Sequence, residues 1–185
     1  MEHKVQDDQP WWDYLWLHEM ICKEAKYCLG VDKGKEELKK LKERGYKVKY
    51  ADVETMDLGR KFDVVVAGEL IEHLNNPGLF LERVNSHLKP NGIVILTTPN
   101  AFSLQTYLRV LLGMDKMINL DHVNYYHPQT LTELLKRYNF KVEEVFWHVR
   151  PKTTRLMVIF KFKRDIVPYF IIVARKIKGL EAKPK

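Results

Sequence analysis

Three side chains that can exchange protons or bind a metal ion, Glu69, Glu72 and His73, follow one short apolar run of the chain. The run, residues 62–67, is rich in valine, and this composition predicts a β-strand buried on both faces, with further strands on each side. Gly68 ends it. In open α/β sheets, ligands bind in the crevice beyond the carboxyl ends of the strands. The spacing therefore predicts that one buried strand delivers the three groups to a ligand-binding edge.

Asp32 and Asp52 end two other apolar runs, residues 27–32 and 48–51. A carboxylate at a strand end can accept hydrogen bonds from both hydroxyls of a ribose, and Asp32 is placed to do so. The alternative is that Asp32 caps the helix predicted from Lys35 onward and that Asp52 is a solvated turn residue. The sequence leaves both alternatives open.

Strands alternate with helices along the chain, which predicts an α/β fold with βαβ units and a parallel sheet. Apolar spacing predicts helices at residues 11–23, 35–44, 79–88, 104–112 and 128–137. Strands are predicted at 27–32, 48–51, 62–67, 93–98, 141–148 and 169–174, with a turn at 89–92. Residues 152–164 are ambiguous. We expect a single domain over residues 1–178 and a polar tail at 179–185.

Composition limits the classes of function. The chain has 185 residues, 45% hydrophobic and 30% charged, which is ordinary for a globular domain. Its net charge is +7, but the lysines are spread along the chain, which disfavours nucleic acid as a partner. Cys22 and Cys28 match no metal or redox spacing, and we expect reduced thiols in a cytoplasmic protein. No signal peptide or transmembrane run is visible.

The segment FDVVVAGELIEHLNNP, at residues 62–77, carries a family resemblance. It resembles the fourth strand and following loop of class I S-adenosylmethionine-dependent methyltransferases, and most closely the small-molecule branch that includes ubiquinone-biosynthesis O-methyltransferases. The resemblance covers residues 27–176. It implies a doubly wound, mainly parallel sheet of the Rossmann-like methyltransferase type, with an antiparallel last strand from Tyr169.

The resemblance also implies a binding site for S-adenosylmethionine. In such a site Asp32 holds the ribose, Asp52 accepts from the adenine amino group, and the backbone N–H of Val53 reaches the adenine ring. Glu69 borders the methionine part of the cofactor. Some quinone O-methyltransferases are thought to bind a divalent metal through a matching Glu-x-x-Glu-His. We expect no metal here, because Glu72 and His73 can instead satisfy backbone groups of the loop.

A second matching segment is the long loop at residues 121–128, where a histidine precedes aromatic residues and a His-Pro pair. His122 could take a proton from a substrate hydroxyl, which would make it catalytic. Its alternative role is to fix the loop by hydrogen bonds. Tyr125 and Tyr126 are the candidates for the wall of the substrate site.

The glycine-rich loop that defines the family is missing from its expected place. About two dozen residues before Asp32 the chain has Asp7-Asp8-Gln9-Pro10-Trp11-Trp12-Asp13, and no glycine occurs before Gly30. Pro10 lacks a backbone N–H, and the tryptophans put bulk where the methionine carboxylate would lie. The chain could be a degenerate methyltransferase, could have a rebuilt loop, or could be the altered end of a longer parent. We expect weakened binding of the cofactor.

Two functions follow as expectations. The first is methyl transfer from S-adenosylmethionine to a hydroxyl of a small molecule. The second is a methyltransferase-like binding or scaffold protein without turnover, which would contact a protein partner or a membrane surface. Its candidate contact surfaces are the tryptophan-rich N-terminal helix and the basic-aromatic stretch at residues 160–164.

Overall fold

The computed structural model describes residues 12–113, 119–148 and 167–178. Several predictions lie outside these ranges: the altered glycine-loop region before residue 12, the ambiguous stretch 152–164 with its basic-aromatic segment, and the tail 179–185. Two compact units, Met1–Val53 and Glu54–Lys185, each contain one sheet among the described residues. That the chain forms a single domain stays a prediction.

The first unit contains two helices and two short strands. The helices are α1, Trp12–Glu24, and α2, Lys35–Glu43, and the strands are β1, Gly30–Asp32, and β2, Val48–Tyr50. The strands are parallel, with Gly30 opposite Val48 and Asp32 opposite Tyr50. After α2, Gly45 adopts a left-handed backbone conformation (φ 88°), which glycine allows at little cost. The predicted β-α-β order is therefore confirmed in this unit.

Cys22 and Cys28 form a disulfide bond in the first unit. The prediction of reduced thiols is therefore wrong for this structure. Their spacing resembles no common motif, but a turn after α1 brings Cys28 back to the last turns of the helix, with the two Cα atoms 5.1 Å apart. That distance is in the ordinary range for a disulfide.

The second unit is built on a four-stranded sheet. Its elements in chain order are β3, Phe62–Gly68; a 3₁₀ turn, Ile71–His73; α3, Pro77–His87; β4, Leu88–Pro99; α4, Leu104–Leu111; α5, Pro128–Arg137; β5, Phe140–His148; and β6, Tyr169–Lys176. The strand order is β3-β4-β6-β5. The β3–β4 pair is parallel, whereas β6 is antiparallel to both β4 and β5. The predicted reversal of the last strand is confirmed.

The hydrophobic core of this unit follows from alternation in β4 and β6. Successive buried residues on β4 are Val94, Leu96 and Thr98, and on β6 they are Phe170, Ile172 and Ala174. Side chains of α3 and α5 are also fully buried: Phe80, Leu81, Val84, Leu131 and Leu135. Each large apolar side chain buried in this way contributes roughly 1.5–3 kcal/mol. The core therefore fixes the ends of β3 and β4, where the candidate site residues lie.

Strand β3 corrects one prediction. It is not buried on both faces, since Val64 is 46% exposed and Asp63 is also exposed. Among the described residues it pairs with β4 alone, so the expected strand on its other side is not seen there.

The predicted turn at residues 89–92 is also wrong. Strand β4 runs through it, from Leu88 to Pro99, and Leu88 pairs with Phe62. Asn91 has a left-handed backbone (φ 62°), and the register shifts between Phe62 and Val64. The turn-forming residues therefore make an irregularity within the strand, as a bulge does.

The described helices include none that is both long enough and apolar enough to cross a membrane.

Candidate active site

Asp32 and Asp52 lie at the carboxyl ends of neighbouring parallel strands. The backbone N–H of Ala51 donates to the carbonyl oxygen of Asp32 at 3.0 Å, which joins the residue after β2 to the last residue of β1. Asp52 and Val53 follow Ala51 directly, so they lie just beyond this pair of strand ends. Asp32 and Asp52 are exposed, and Val53 is half-buried. The carboxylate Oδ1 of Asp32 accepts from the N–H of Gly34 at 2.6 Å, while Gly34 itself is the N-cap of α2. Asp32 thus shapes the turn before α2 without being its N-cap.

Glu69 is held firmly at the carboxyl end of β3. Its N–H donates to the carbonyl oxygen and to the hydroxyl Oγ1 of Thr97, each at 3.0 Å. The Thr97 hydroxyl in turn donates to Glu69 Oε1 at 3.2 Å. Glu69 has a left-handed backbone (φ 49°), which is uncommon outside glycine and costs conformational energy. The neighbouring strand therefore fixes both the backbone and the side chain of Glu69.

Glu72 is the most buried ionisable side chain of the site, with 1% of its surface exposed. Its Oε2 accepts from the hydroxyl of Thr98 at 2.9 Å, whereas its buried Oε1 has no hydrogen-bond partner in the described part of the chain. Burial raises the pKa of Glu72 above its ordinary value, and the nearby charge of Glu69 raises it further. A buried carboxylate with one unpartnered oxygen is costly, and such a group commonly serves a functional site.

His73 and His122 form an edge-to-face pair, with ring centroids 4.6 Å apart. His73 Nδ1 lies 3.0 Å from the carbonyl oxygen of Asp121 and donates to it, so Nε2 is the ring nitrogen that faces away from this bond. His122 is half-buried, and burial lowers its pKa, with a further contribution from His73. His122 is therefore neutral at pH 7 and can accept a proton or bind a cation.

Backbone hydrogen bonds bring the loop of His122 to the 3₁₀ turn of Glu72. The N–H groups of Val123 and Asn124 both donate to the carbonyl oxygen of Glu72, each at 3.0 Å. The Asn124 side chain adds a bond from Nδ2 to the carbonyl oxygen of Leu74 at 2.6 Å. These bonds place His122 beside residues that are about 50 positions earlier in the chain.

The two tyrosines of the loop differ in burial. Tyr125 is 54% exposed, and its ring centroid lies 6.3 Å from that of His122. Tyr126 is only 8% exposed, and burial, together with the charge of Glu72, raises its pKa to about 12. Tyr126 borders an open cavity of about 440 Å³ along α5, which none of the other predicted site residues lines. As a wall of a site near His122, Tyr125 is better placed than Tyr126.

One carboxylate and two imidazoles meet at this point of the second unit. Ligand atoms of Glu72, His73 and His122 all lie within 4.8 Å of one another. The donor set suits a divalent cation, and the unpartnered Oε1 of Glu72 would gain a partner by binding one. The Asp121 carbonyl would act as the outer partner that orients His73, as such groups do for metal-binding histidines.

The sequence did not indicate three contributors to this arrangement. Thr97 and Thr98 hold Glu69 and Glu72, and Asn124 ties the two loops together. The only available signal was two hydroxyl side chains in succession at the end of an apolar strand. It was also not evident that His122 would join Glu72 and His73, because the joining bonds are backbone bonds that any residue can make.

Comparison with known proteins decides the family. The sequence profile of the family described as "Methyltransferase domain" matches residues 5–145. This chain belongs to that family. The match covers nearly all of the first unit and most of the second, including every predicted site residue.

Curated relatives of this methyltransferase-domain chain are named ubiquinone biosynthesis O-methyltransferases. That of Rickettsia prowazekii is 29% identical over 147 residues, covering 75% of this chain and 57% of the relative. That of Rickettsia typhi is 30% identical over 139 residues, covering 69% of this chain and 53% of the relative. This chain thus spans a little over half the length of these relatives.

Solved structures confirm the Rossmann-like methyltransferase fold. An S-adenosylmethionine-dependent methyltransferase from Clostridium acetobutylicum superposes with a TM-score of 0.64 at 13% identity, covering 88% of this chain and 80% of that one. Another from Archaeoglobus fulgidus gives a TM-score of 0.62 at 22% identity, covering 89% and 81%. At these identities the likeness establishes the fold, and function must be argued from the residues.

Proposed function

We propose that this methyltransferase-domain chain transfers a methyl group from S-adenosylmethionine to a hydroxyl oxygen of a small molecule. The relatives carry the name of O-methyltransferases, and the solved structures with the same fold include S-adenosylmethionine-dependent enzymes. The observation on which the proposal mainly rests is the position of Asp32. It lies at the carboxyl end of a parallel strand, directly beside the end of the next strand. That edge is where α/β folds of this kind bind nucleosides.

The adenosine part of the cofactor is assigned to the first unit. Since Oδ1 of Asp32 is engaged with the Gly34 N–H, Oδ2 is the atom that we assign to the ribose hydroxyls. Asp52 accepts from the adenine amino group, and the N–H of Val53 reaches the ring. Glu69 keeps its predicted role at the methionine part. These assignments follow the family pattern at matching positions of this chain.

His122 is proposed as the general base. The sulfonium of S-adenosylmethionine supplies an already activated methyl group. The ring of His122 accepts the proton of the acceptor hydroxyl as the oxygen bonds to the methyl carbon. Its lowered pKa keeps the ring unprotonated at pH 7, and Tyr125 flanks the acceptor.

The same residues have a competing role, the binding of a divalent cation. Glu72, His73 and His122 would hold it, and it would supply positive charge to a developing oxyanion. The unpartnered Oε1 of Glu72 favours this second role. The two roles exclude each other for any one nitrogen of His122, because a lone pair that binds a cation cannot accept a proton.

Turnover tests the proposal. Release of S-adenosylhomocysteine is measured for the full chain with a panel of phenolic acceptors, with and without added Mg²⁺, Mn²⁺ or Zn²⁺. Release that depends on the acceptor supports the proposal. If S-adenosylhomocysteine binds but no acceptor and no cation produces release, methyl transfer is contradicted and the binding-protein alternative is favoured.

A further inference from the structure

The first unit contains a second group of potential metal ligands, made of His18, Cys22 and Cys28. One ligand atom from each of these three side chains lies within 4.8 Å of the other two. We call this group the His-Cys-Cys cluster. All three side chains are half-buried, and neither the family pattern nor the proposed methyl transfer uses them.

The local fold explains why these three residues meet. His18 and Cys22 are four residues apart on α1, so their side chains lie on the same face of the helix, one turn apart. Cys28 follows the helix in the turn that leads to β1. Sequence spacing indicated no metal site because the pair of cysteines alone matches no common motif. The third ligand, His18, is one helical turn earlier.

The distances suit a tetrahedral ion. His18 Nε2 lies 3.4 Å from Cys22 Sγ. With Zn–S near 2.3 Å and Zn–N near 2.0–2.1 Å, a tetrahedral zinc site separates a sulfur from a nitrogen by about 3.5 Å. His18 and Cys22 therefore already have the separation that zinc requires. The Cα atoms of the two cysteines, 5.1 Å apart, allow both sulfurs to reach an ion between them.

The surroundings of His18 hold its ring in place. A Cβ atom built on Gly30 would lie 3.0 Å from His18 Cε1, so the start of β1 packs closely against the imidazole. Tyr46 makes an edge-to-face contact with the same imidazole, with ring centroids 5.3 Å apart. A ligand whose orientation is fixed before binding loses less entropy when the ion arrives.

We propose that the reduced form of this protein binds one zinc ion at the His-Cys-Cys cluster, with water as the fourth ligand. A dithiol reductant first donates two electrons and two protons to the disulfide and becomes a disulfide itself, which leaves two thiols on the protein. Zinc then displaces one proton from each thiol, so two protons are released per ion bound. The zinc site and the disulfide are alternative states of the same two sulfurs. Each state ties the end of α1 to the segment that enters β1.

Cobalt substitution gives the direct test. The full chain is reduced with dithiothreitol, transferred to an oxygen-free buffer without thiols and titrated with Co²⁺. We expect a near-ultraviolet band from sulfur-to-cobalt charge transfer that saturates at one equivalent and is abolished by zinc. The oxidised protein should show no such band. Absence of the band in the reduced protein, or an equal band in the oxidised protein, overturns the proposal.

Variants assign the ligands. Cys22→Ser and Cys28→Ser should each lose about half of the band intensity or more, and His18→Asn should weaken binding by at least about tenfold. His122→Gln is the matched control, because it removes a ligand of the other cluster and should leave the band unchanged. Full intensity in either serine variant, unchanged affinity in His18→Asn, or loss of the band in His122→Gln contradicts the assignment.

Alkylation of the unmodified chain avoids dependence on how the variants fold. One equivalent of zinc should slow the reaction of both cysteines with iodoacetamide by at least about tenfold, as followed by mass spectrometry. Equal rates with and without zinc overturn the proposal. This readout involves neither S-adenosylmethionine nor an acceptor, so its failure is distinct from failure of the proposed methyl transfer.

Discussion

Glu72 is the residue at which the structure departs most from what stability alone would favour. Its buried carboxylate accepts from Thr98 at one oxygen, and the other oxygen has no hydrogen-bond partner among the described residues. An unsatisfied buried acceptor costs about 1–3 kcal/mol, and more when it is charged. The cost is understandable if the charge is needed for function, either beside His122 or in holding a cation.

We expect Glu72→Gln to increase the free energy of unfolding at pH 7 by about 1–3 kcal/mol, because glutamine can keep the Thr98 bond without a buried charge. The folded-state pKa of Glu72 is raised above its ordinary 4.5. Protonated Glu72 therefore stabilises the wild type below pH 4.5, and this contribution is lost as pH rises through the raised pKa. The difference in free energy of unfolding between Glu72→Gln and the wild type should accordingly shrink towards pH 4.5. Urea unfolding at several pH values measures it.

The exposed Glu82 provides the control, since Glu82→Gln should change the free energy of unfolding by less than about 0.5 kcal/mol both at pH 7 and near pH 4.5. The prediction is contradicted if Glu72→Gln is less stable than the wild type at pH 7 and the difference in free energy of unfolding does not shrink at lower pH. That result would show that the charge of Glu72 is compensated in the fold.

His122 allows a kinetic prediction. If it is the general base, His122→Gln should lower kcat by about 10²- to 10⁴-fold, whereas His148→Gln, at an exposed position on β5, should leave kcat unchanged. Because burial and His73 lower the pKa of His122, the acid limb of the wild-type rate profile should be centred below pH 6.5. An acid limb centred above 6.5, or a variant with wild-type kcat, would assign the proton transfer elsewhere.

Among the residues, sequence reasoning succeeded where position along a strand determined the outcome. Asp32 and Asp52 were each expected at a strand end, and the structure has them there, at the ends of two strands that pair. The meeting of His122 with Glu72 and His73 could not be predicted, because it depends on backbone bonds from Val123 and Asn124. Any residue except proline can donate such a backbone bond, so the side-chain types in the sequence do not indicate it.

At the scale of elements, α3 begins at Pro77, two residues before the predicted start at residue 79, and Asn76 is its N-cap. Asn76 Oδ1 accepts from the N–H of Leu79 at 3.0 Å, and Pro77 occupies the first helical position. Asn76→Ala should therefore lower the free energy of unfolding by about 1 kcal/mol, as measured by chemical denaturation. The adjacent Asn75 is exposed, and Asn75→Ala is the matched control, with an expected change below about 0.5 kcal/mol. Equal losses in the two variants would contradict the role of the cap.

The errors at this scale have a physical explanation. Lys89 to Gly92 have the composition of a turn, and Asn91 does adopt a turn conformation. The pairing of β4 with β3 is interrupted there and resumes at Ile93, opposite Val64, so long-range pairing keeps the segment within one strand despite its local preference. Similarly, the valines of β3 predicted burial on both faces, but Val64 is exposed, since composition does not reveal which side chains of a strand are covered by other elements.

At the scale of the whole molecule, we expect weak binding of the cofactor. The chain matches the family from residue 5, yet no glycine precedes Gly30. If the missing glycine loop costs two charge-assisted hydrogen bonds, binding falls by roughly 3–6 kcal/mol, or about a hundred- to ten-thousand-fold.

We therefore expect S-adenosylhomocysteine to bind no more than about tenfold more tightly than adenosine, because its amino-acid part adds little binding free energy without the glycine loop. Competition between the two ligands in calorimetry measures the ratio. S-adenosylhomocysteine bound at micromolar strength or tighter, and far more tightly than adenosine, would show that the loop has been rebuilt.

The most direct test of the central claim, that the edge formed by β1 and β2 binds the adenosine part of the cofactor, is titration calorimetry of Asp32→Asn. This variant keeps an oxygen for the Gly34 N–H and removes the charge. Adenosine and S-adenosylhomocysteine should both bind the wild type, and both affinities should fall by about 10- to 100-fold in Asp32→Asn, the loss of one charge-assisted bond. Glu43→Gln, at an exposed carboxylate at the end of α2, should leave both affinities unchanged. No binding of either ligand to the wild type, or equal affinities in wild type and Asp32→Asn, would contradict the claim.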